Sequence, residues 1–204
     1  MPGVDLLLDT EDGESLEAQL AVPDGATVGV VLAHPHPLYG GSMWDGPPAV
    51  LYERLPAAGA AAVRFNFRGV GRSTGTHDRG DAERLDVLAA LAALPAELPV
   101  ILCGYSFGAD VCLTVDHPRV VGWCAIAPPL MRGMSVSDTP RPKLLLVPEH
   151  DQYDPPGRAA EETVGWAATT IEVIEGADHF LAGALGRVAD AVSRFVLTEP
   201  YSLP

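Results

Sequence analysis

The hydrophobic positions of this chain fall into short apolar runs that alternate with longer amphipathic segments. The apolar runs predict strands at 28–33, 61–67, 100–105, 120–126, 143–147 and 169–174. The first of these, VGVVLA, is the continuous β-branched type that is buried on both faces of a sheet. Helical periodicity predicts helices at about 47–58, 80–94, 107–117, 157–168 and 184–197. This alternation predicts an α/β fold with a mostly parallel sheet and helices on both faces.

Two further strand patterns precede this alternation. VDLLLD (4–9) and LEAQLAV (16–22) are joined by the turn-rich segment TEDGES. Two strands joined in this way predict an antiparallel hairpin at the first edge of the sheet. The rest of the chain contains no internal repeat, linker or low-complexity tract, so we expect residues 1–204 to form a single domain.

Composition and charge narrow the partners that the chain could bind. The 204 residues are 48% hydrophobic and 20% charged, which is a globular composition with enough apolar side chains for a substantial core. The formal net charge of −14 would repel a phosphate backbone, so we expect no nucleic-acid partner. The same argument disfavours an anionic membrane surface.

The location of the protein is suggested by its N-terminus and its cysteines. The first residues, MPGVDLLLDTEDGESLE, lack the basic start and long apolar segment of a signal peptide, and no stretch is long enough for a membrane helix. Cys103, Cys112 and Cys124 each lie in an apolar run and lack the spacing of a zinc site. Buried reduced thiols are the expected state, and they favour the cytoplasm.

The segment ILCGYSFGAD (101–110) contains the first candidate for chemistry. In its G-x-S-x-G pattern, Ser106 follows a predicted buried strand and precedes a helical pattern. A serine at such a tight strand-to-helix turn projects its hydroxyl out of the sheet, and flanking glycines let neighbouring backbone approach closely. Because the five-residue pattern is weak by itself, this interpretation depends on the strand and helix around it.

A nucleophilic serine needs a base and a carboxylate that orients the base. Of the six histidines, His179 lies in the loop EGADHFLAG between the last predicted strand and the last helix. The segment PEHDQYDPP after the strand KLLLV offers Glu149, Asp151 and Asp154 as the acid. Asp151 lies nearest to the mouth of that strand without lying beyond the turn, whereas Asp154 precedes two prolines and is predicted to cap the following helix. The predicted order is therefore Ser106, Asp151 and His179.

Two other motifs suggest a metal or a cofactor. The pair His34 and His36 could begin a metal site, but no further ligand cluster accompanies it. The segment 69–75 resembles a dinucleotide loop, but its third glycine comes one residue too late. We therefore expect a tight structural loop there, and neither a metal nor a cofactor.

Together these segments resemble the α/β-hydrolase fold, and especially its small dienelactone-hydrolase-like and esterase members. The resemblance rests on AHPHPLYGGSM, RFNFRGVGRSTG, GYSFG, PEHD and GADHF, which follow the order of the family and span nearly the whole chain. It implies that Ser106 is the nucleophile, His179 the base and Asp151 the acid. It does not specify the substrate.

Acyl transfer also needs hydrogen-bond donors for the developing oxyanion. One should be the backbone N–H of Phe107, the residue after the nucleophile. The family usually has His-Gly in the loop after the third strand, where this chain has His34-Pro35. By alignment, the second donor would be the backbone N–H of His36, with Leu38 or Tyr39 as alternatives, because proline has no N–H.

The substrate pocket should lie at the carboxyl ends of the strands, where ligands of α/β sheets usually bind. Apolar residues that are expected in the loops there are Met43, Trp44, Leu130, Met131, Phe180 and Leu181. No insertion is long enough for a large cap domain, and the segment APPLMRGMSVSDTPRP would form only a short lip. We expect a rather open site for small or extended substrates.

The sequence thus predicts a serine hydrolase that acts on a small-molecule carboxylic ester, a lactone or a thioester. An exopeptidase on the same fold is one alternative, but it should need an acidic anchor for the substrate amine. A non-catalytic binding protein is another alternative, and it would be indicated by the loss of a triad residue. The oligomeric state is left open.

Overall fold

A computed structural model describes residues 3–131 and 134–198. Its strands are β1 (Val4–Asp9), β2 (Ser15–Ala21), β3 (Gly29–Ala33), β4 (Ala61–Phe65), β5 (Val100–Tyr105), β6 (Val120–Ile126), β7 (Lys143–His150) and β8 (Thr169–Asp178). Its α-helices are α1 (Gly46–Ala57), α2 (Glu83–Ala93), α3 (Phe107–Cys112), α4 (Pro156–Glu162) and α5 (Leu185–Thr198). A short 3-10 turn covers Pro37–Tyr39.

The strands form one sheet in the order β1-β2-β4-β3-β5-β6-β7-β8. From β4 to β8, all neighbouring strands are parallel. The strand β2 pairs antiparallel with both β1 and β4, so the hairpin forms an antiparallel edge. The predicted mostly parallel sheet with an antiparallel N-terminal edge is confirmed.

The helices cover both faces of the sheet, also as predicted. Successive side chains of a strand point to opposite faces. Val31 and Leu102 therefore pack into the core beneath α2 and α3, whereas Val30 and Ile101 pack into the core beneath α1 and α5. Strands buried on both faces need apolar residues at every position, which explains the continuous apolar runs of β3, β5 and β6.

Three predicted helices are too long. The helix α2 begins only at Glu83, α3 ends already at Cys112, and α4 ends already at Glu162. After α4, Gly165 takes a left-handed φ of 85°, which continues the chain away from the helix axis. Periodicity alone could not show these ends, because apolar residues in the following turns continue the pattern.

The last two strands are longer than predicted, and this affects the position of the site. β7 runs to His150 and β8 to Asp178, and these two residues are partners in the register. The residues that follow them, Asp151 and His179, therefore lie side by side at the carboxyl edge of the sheet.

The three cysteines are buried in the centre of the fold with free thiols. Cys103 on β5 and Cys124 on β6 are register partners on neighbouring strands, and Cys112 ends α3. Burial raises the pKa of the Cys112 thiol well above its usual value.

Among the described residues, no helix combines the length and the apolar character that crossing a lipid bilayer requires.

Candidate active site

Ser106 occupies a sharp turn between β5 and α3. Its backbone has φ 53° and ψ −120°, a conformation that non-glycine residues rarely adopt. The turn is held because the N–H of Ser106 donates to the carbonyl of Ile126 on β6 at 2.8 Å, and the carbonyl of Ser106 accepts from Ala109 at 2.9 Å. Such local strain persists only where the surrounding structure enforces it, and it is typical of functional sites.

The two glycines beside Ser106 are required by close backbone approach. A Cβ at Gly104 would lie 2.3 Å from the carbonyl carbon and oxygen of Gly108. A Cβ at Gly108 would lie 2.5 Å from the carbonyl oxygen of His34 and 2.6 Å from that of Ala33. These contacts involve backbone atoms that cannot rotate away, so the G-x-S-x-G spacing is fixed by packing of α3 against β3 and β5.

A chain of hydrogen bonds links Ser106, His179 and Asp151. The Ser106 Oγ lies 2.9 Å from His179 Nε2, and His179 Nδ1 lies 2.8 Å from Asp151 Oδ2. When Nδ1 carries the proton and donates to the carboxylate, Nε2 is left to accept from the serine hydroxyl. The structure thus brings together the three residues that the sequence singled out.

Both partners of this pair are held by further hydrogen bonds. The second carboxylate oxygen of Asp151 accepts from the backbone N–H of Tyr153 at 2.8 Å. The backbone N–H of His179 donates to Gln152 Oε1 at 3.3 Å, and its carbonyl accepts from the hydroxyl of Tyr105 at 2.8 Å. The side chains of His179 and Asp151 are only 7% and 1% exposed, so they have little freedom to leave this arrangement.

The two alternative carboxylates do not contact His179 in the structure. Glu149 is exposed and accepts from the N–H of Gly176 at 2.7 Å. The sequence predicted that Asp154 caps α4, and this prediction is wrong. The N-cap position is Pro155, and no side-chain cap is present. Asp154 is instead buried, with Arg158 Nε at 3.2 Å but no well-directed hydrogen bond to either carboxylate oxygen. Burial raises its pKa to about 6.

The chain is similar in sequence and in structure to known proteins. It is 30% identical over 196 residues to the uncharacterized protein RP471 of Rickettsia prowazekii (strain Madrid E), a match that covers 87% of this chain and 82% of that protein. A solved structure of an α/β serine hydrolase homologue from Coxiella burnetii has 30% identity and a TM-score of 0.86, covering 96% of this chain and 98% of that chain. The chain belongs to the α/β-hydrolase family.

A second solved structure supports the same conclusion for this hydrolase. XC6422 from Xanthomonas campestris, described as an α/β serine hydrolase without lid, has 28% identity, a TM-score of 0.81 and 98% coverage of each chain. No protein-family model matches the sequence. Similarity over nearly the whole length indicates that the hydrolase shares the complete fold with these proteins.

His34 holds the loop after β3 in place. Its ring is fully buried, Nε2 accepts from the N–H of Phe67 at 2.9 Å, and Nδ1 lies 2.6 Å from the carbonyl oxygen of Pro35. Burial lowers its pKa to about 4, so the imidazole is neutral near pH 7. Among residues 3–131 and 134–198, no group of three or more His, Cys, Asp or Glu side chains is arranged to hold a metal ion.

The backbone N–H groups of this loop are largely occupied. Those of Leu38 and Tyr39, the alternative oxyanion donors, bond to the ring and the carbonyl of His36 at 3.2 and 3.1 Å. The ring of His36 lies 4.9 Å from that of Phe107, so the two preferred donor residues are neighbours.

Ser106 opens into a cleft of about 1220 Å³. His36, Phe107 and His179 line it, as do Met131 and Phe180, two of the predicted pocket residues. Met131 and Phe180 are exposed apolar side chains at its rim. An open cleft with an apolar rim fits the expectation of a site without a large cap domain.

Two predicted pocket residues, both on the loop before α1, lie outside the cleft. Met43 is buried in the core, and its N–H donates to Asn66 Oδ1 at 2.8 Å. Trp44 is half exposed, with the guanidinium of Arg64 stacked 4.1 Å from its ring centroid. Neither lines the cleft, because this loop directs one side chain into the core and the next towards Arg64.

Two others are buried behind the cleft wall. Leu130 is 8% exposed, and its N–H donates to Asp110 Oδ1 at 3.0 Å. Leu181 is fully buried in the core beneath α1 and α5. Both take left-handed backbone conformations, with φ of 50° and 58°, which periodicity could not indicate.

Other residues of the cleft were missed from sequence. These are polar or aromatic side chains of loops and of the first turn of α2: His77, Arg79, Arg84 and Tyr153. The one available signal is the charged segment THDRGDAER (76–84), which leads into the first turn of α2 and is unusually rich in ionisable groups.

Proposed function

We propose that the protein hydrolyses carboxylic esters through an acyl-enzyme on Ser106. The observation that supports this best is the continuous hydrogen-bonded chain from the Ser106 hydroxyl through His179 to Asp151, at the base of an open cleft. His179 Nε2 takes the proton of the hydroxyl as Oγ attacks the acyl carbon. Asp151 stabilises the imidazolium that forms and keeps the ring oriented.

Two backbone N–H groups are proposed to stabilise the oxyanion of the tetrahedral intermediate. Phe107 directly follows the nucleophile and is the first residue of α3, where a backbone N–H has no carbonyl partner within the helix. The N–H of His36 is the second donor, because Leu38 and Tyr39 already use theirs within the turn. Each such donor typically contributes about 3 kcal/mol to transition-state stabilisation.

The second half of the reaction uses the same residues. The protonated His179 gives its proton to the leaving alkoxide, and the alcohol departs. A water molecule then loses a proton to His179 and attacks the acyl carbon, which releases the acid and restores Ser106. A lactone or thioester would follow the same steps with a tethered alcohol or a thiol as the leaving group.

The proposal is tested by labelling with a fluorophosphonate, which phosphonylates an activated serine. We expect the wild type to be labelled and Ser106→Ala to remain unlabelled while it keeps its folded circular dichroism spectrum. A panel of 4-nitrophenyl esters from acetate to octanoate then measures kcat/KM for the two proteins. Labelling at another residue, or near-parental ester turnover by Ser106→Ala, would contradict the assignment of the nucleophile.

The location of the hydrolase is proposed to be the cytoplasm. Three buried free thiols support this location, since cysteines in oxidising compartments are usually paired. Fractionation of cells that produce the protein would test this directly, with enrichment in a secreted fraction as the contrary result.

A further inference from the structure

Three aromatic rings pack against one another beside the nucleophile. The ring centroid of His77 lies 4.8 Å from that of His36 and 5.2 Å from that of Phe107, and the rings of His36 and Phe107 lie 4.9 Å apart. We refer to these residues as the three-ring cluster, and all of them line the cleft. His36 and Phe107 carry the N–H groups that are proposed to hold the oxyanion. The third residue, His77, takes no part in the proton transfers or bond changes of the proposed reaction.

The order of the strands brings these rings together. β3 lies between β4 and β5 in the sheet, and the three strands are parallel. His36 lies in the loop after β3, Phe107 begins the helix after β5, and His77 lies in the loop after β4. The side chain of His77 therefore approaches the two donor residues from the β4 side of the sheet.

A buried carboxylate restrains the position of His77. Glu83, in the first turn of α2, is fully buried, and its Oε1 lies 2.7 Å from His77 Nδ1, without the direction of a hydrogen bond. The same carboxylate accepts from the N–H of Asp78 at 2.9 Å and from that of Gly80 at 2.6 Å. A buried carboxylate needs such donors, so it holds this segment against α2. The side chain of His77 is only 8% exposed, which leaves its ring little freedom to move away.

The ring of His36 is connected to the backbone of its own turn. Its Nδ1 accepts from the N–H of Leu38 at 3.2 Å, and the carbonyl of His36 accepts from the N–H groups of Tyr39 and Gly41, each at 3.1 Å. A shift of this ring would therefore move the backbone that presents the N–H of His36. The packing of His77 on the ring thus limits where this donor can go.

We propose that His77 is a positioning residue for the two oxyanion donors. Its ring packs against His36 and Phe107 and keeps their N–H groups at the spacing that one oxyanion needs. This inference rests on the proposed ester hydrolysis and adds a residue outside the triad on which the rate depends. Donors that are fixed in advance need no reorganisation as the charge develops, and a misplacement of about 1 Å can cost about 100-fold in rate.

Replacement of His77 should slow the reaction more than it weakens substrate binding. Acylation and deacylation both pass through an oxyanion, so we expect His77→Ala to lower kcat on 4-nitrophenyl acetate by about ten- to 100-fold, with KM within about twofold of the wild type. The rate constant for labelling of Ser106 by a fluorophosphonate should fall by a similar factor, because the phosphoryl oxygen uses the same donors. Labelling should still reach completion, since the triad is intact.

Two further substitutions separate the ring from the contact with Glu83. His77→Phe keeps an aromatic ring against His36 and Phe107 but removes the nitrogen beside the carboxylate. It should retain kcat within about threefold of the wild type, although it should be less stable. His77→Asn keeps a donor close to Glu83 but removes the ring, and it should be as slow as His77→Ala. A role in stability alone predicts the reverse order.

His117→Ala is the matched control. His117 is also partly buried, and its Nδ1 accepts from the N–H of Arg119 at 3.1 Å, but it does not line the cleft. This substitution should lower the free energy of unfolding without changing kcat. Urea unfolding of all four variants identifies any variant whose loss of turnover follows from a loss of folded protein.

Three outcomes would overturn the inference while leaving ester hydrolysis intact. The first is a folded His77→Ala variant with the kcat of the wild type. The second is a His77→Asn variant that keeps the kcat of the wild type without the ring. The third is a loss of kcat/KM that comes from a raised KM alone. Absent labelling of Ser106 in the wild type would overturn the proposed hydrolysis instead.

Discussion

The hydroxyl of Tyr105 donates a 2.8 Å hydrogen bond to the backbone carbonyl of His179. Tyr105 is the residue immediately before the nucleophile, so this bond ties the strand that carries Ser106 to the loop that carries the base. Burial raises the pKa of the Tyr105 phenol, which keeps it protonated and able to donate. The distance between Ser106 and His179 is therefore held by the Tyr105 side chain as well as by their own hydrogen bond.

Tyr105→Phe should loosen this connection without removing a reacting group. We expect kcat on a neutral 4-nitrophenyl ester to fall about three- to tenfold with little change in KM, and the free energy of unfolding to fall by about 1 kcal/mol. Tyr52→Phe is the control, because the Tyr52 hydroxyl is buried without a hydrogen-bond partner in the described structure. Equal kinetic effects of the two substitutions would show that the Tyr105 hydroxyl does not position His179.

Asp151→Asn should lower kcat by about three to four orders of magnitude while the protein stays folded. An amide at this position can no longer stabilise the imidazolium, and its N–H₂ group favours the wrong tautomer of His179. Asp154→Asn, in the same loop, should retain most of the turnover, because Asp154 does not contact the imidazole. Steady-state kinetics of both variants on one ester decide the matter, and a greater loss for Asp154→Asn would reverse the assignment of the acid.

Asp154→Asn should instead increase stability above pH 6. In the folded protein the pKa of Asp154 is raised from 3.8 to about 6, so folding favours the protonated form. The stability that this group contributes is present below about pH 3.8 and is lost as the pH rises to about 6. Removing the charge at pH 8 should therefore stabilise the protein by about 1–3 kcal/mol.

Urea unfolding at pH 8 and at pH 4.5 measures this effect. The stabilisation by Asp154→Asn should be largest at pH 8 and clearly smaller at pH 4.5. Asp24→Asn provides the control, because Asp24 is an exposed aspartate and its replacement removes no carboxylate from the interior. A variant that is less stable than the wild type at pH 8 would show that the ion pair with Arg158 outweighs the burial of the carboxylate.

Gly108→Ala should destabilise the turn that holds Ser106. The new methyl group would lie 2.5 and 2.6 Å from two backbone carbonyl oxygens of β3 and the loop after it. We expect a loss of about 2–4 kcal/mol in the free energy of unfolding and a large loss of activity. Gly157→Ala in α4 is the control, since a Cβ there meets nothing within 4 Å and alanine favours helix. If both substitutions were tolerated equally, the close approach of α3 to β3 would not be a requirement.

The sheet could be predicted from the sequence because its determinants are local. Strands such as β5 and β6 are buried on both faces, so nearly all their residues are apolar. The start and end of each apolar run therefore indicate where the strand begins and ends. Ser106 could also be predicted from the sequence, because the two glycines beside it are required by close contacts. Gly104 approaches Gly108 nearby in the chain, and Gly108 approaches the adjacent strand β3. Asp151 and His179 could be placed because each lies in the loop that follows a predicted strand.

The walls of the cleft could not be predicted in the same way, because they depend on the direction of individual loop side chains. Met43 and Trp44 are adjacent, yet one enters the core and the other stacks on Arg64. Asp154 has a sequence context typical of a helix cap, but the chain places its carboxylate in the interior. Contacts between distant segments decide such cases, and no periodic pattern records them.

The three buried thiols can report local unfolding of the strands and the helix around Ser106. Cys103, Cys112 and Cys124 are each at most 1% exposed, and they lie on the two strands and the helix that meet at Ser106. An alkylating reagent can reach them only when β5, β6 or α3 separates from its neighbours. The rate of thiol modification under native conditions therefore measures how often the support of the nucleophile comes apart, without any introduced label.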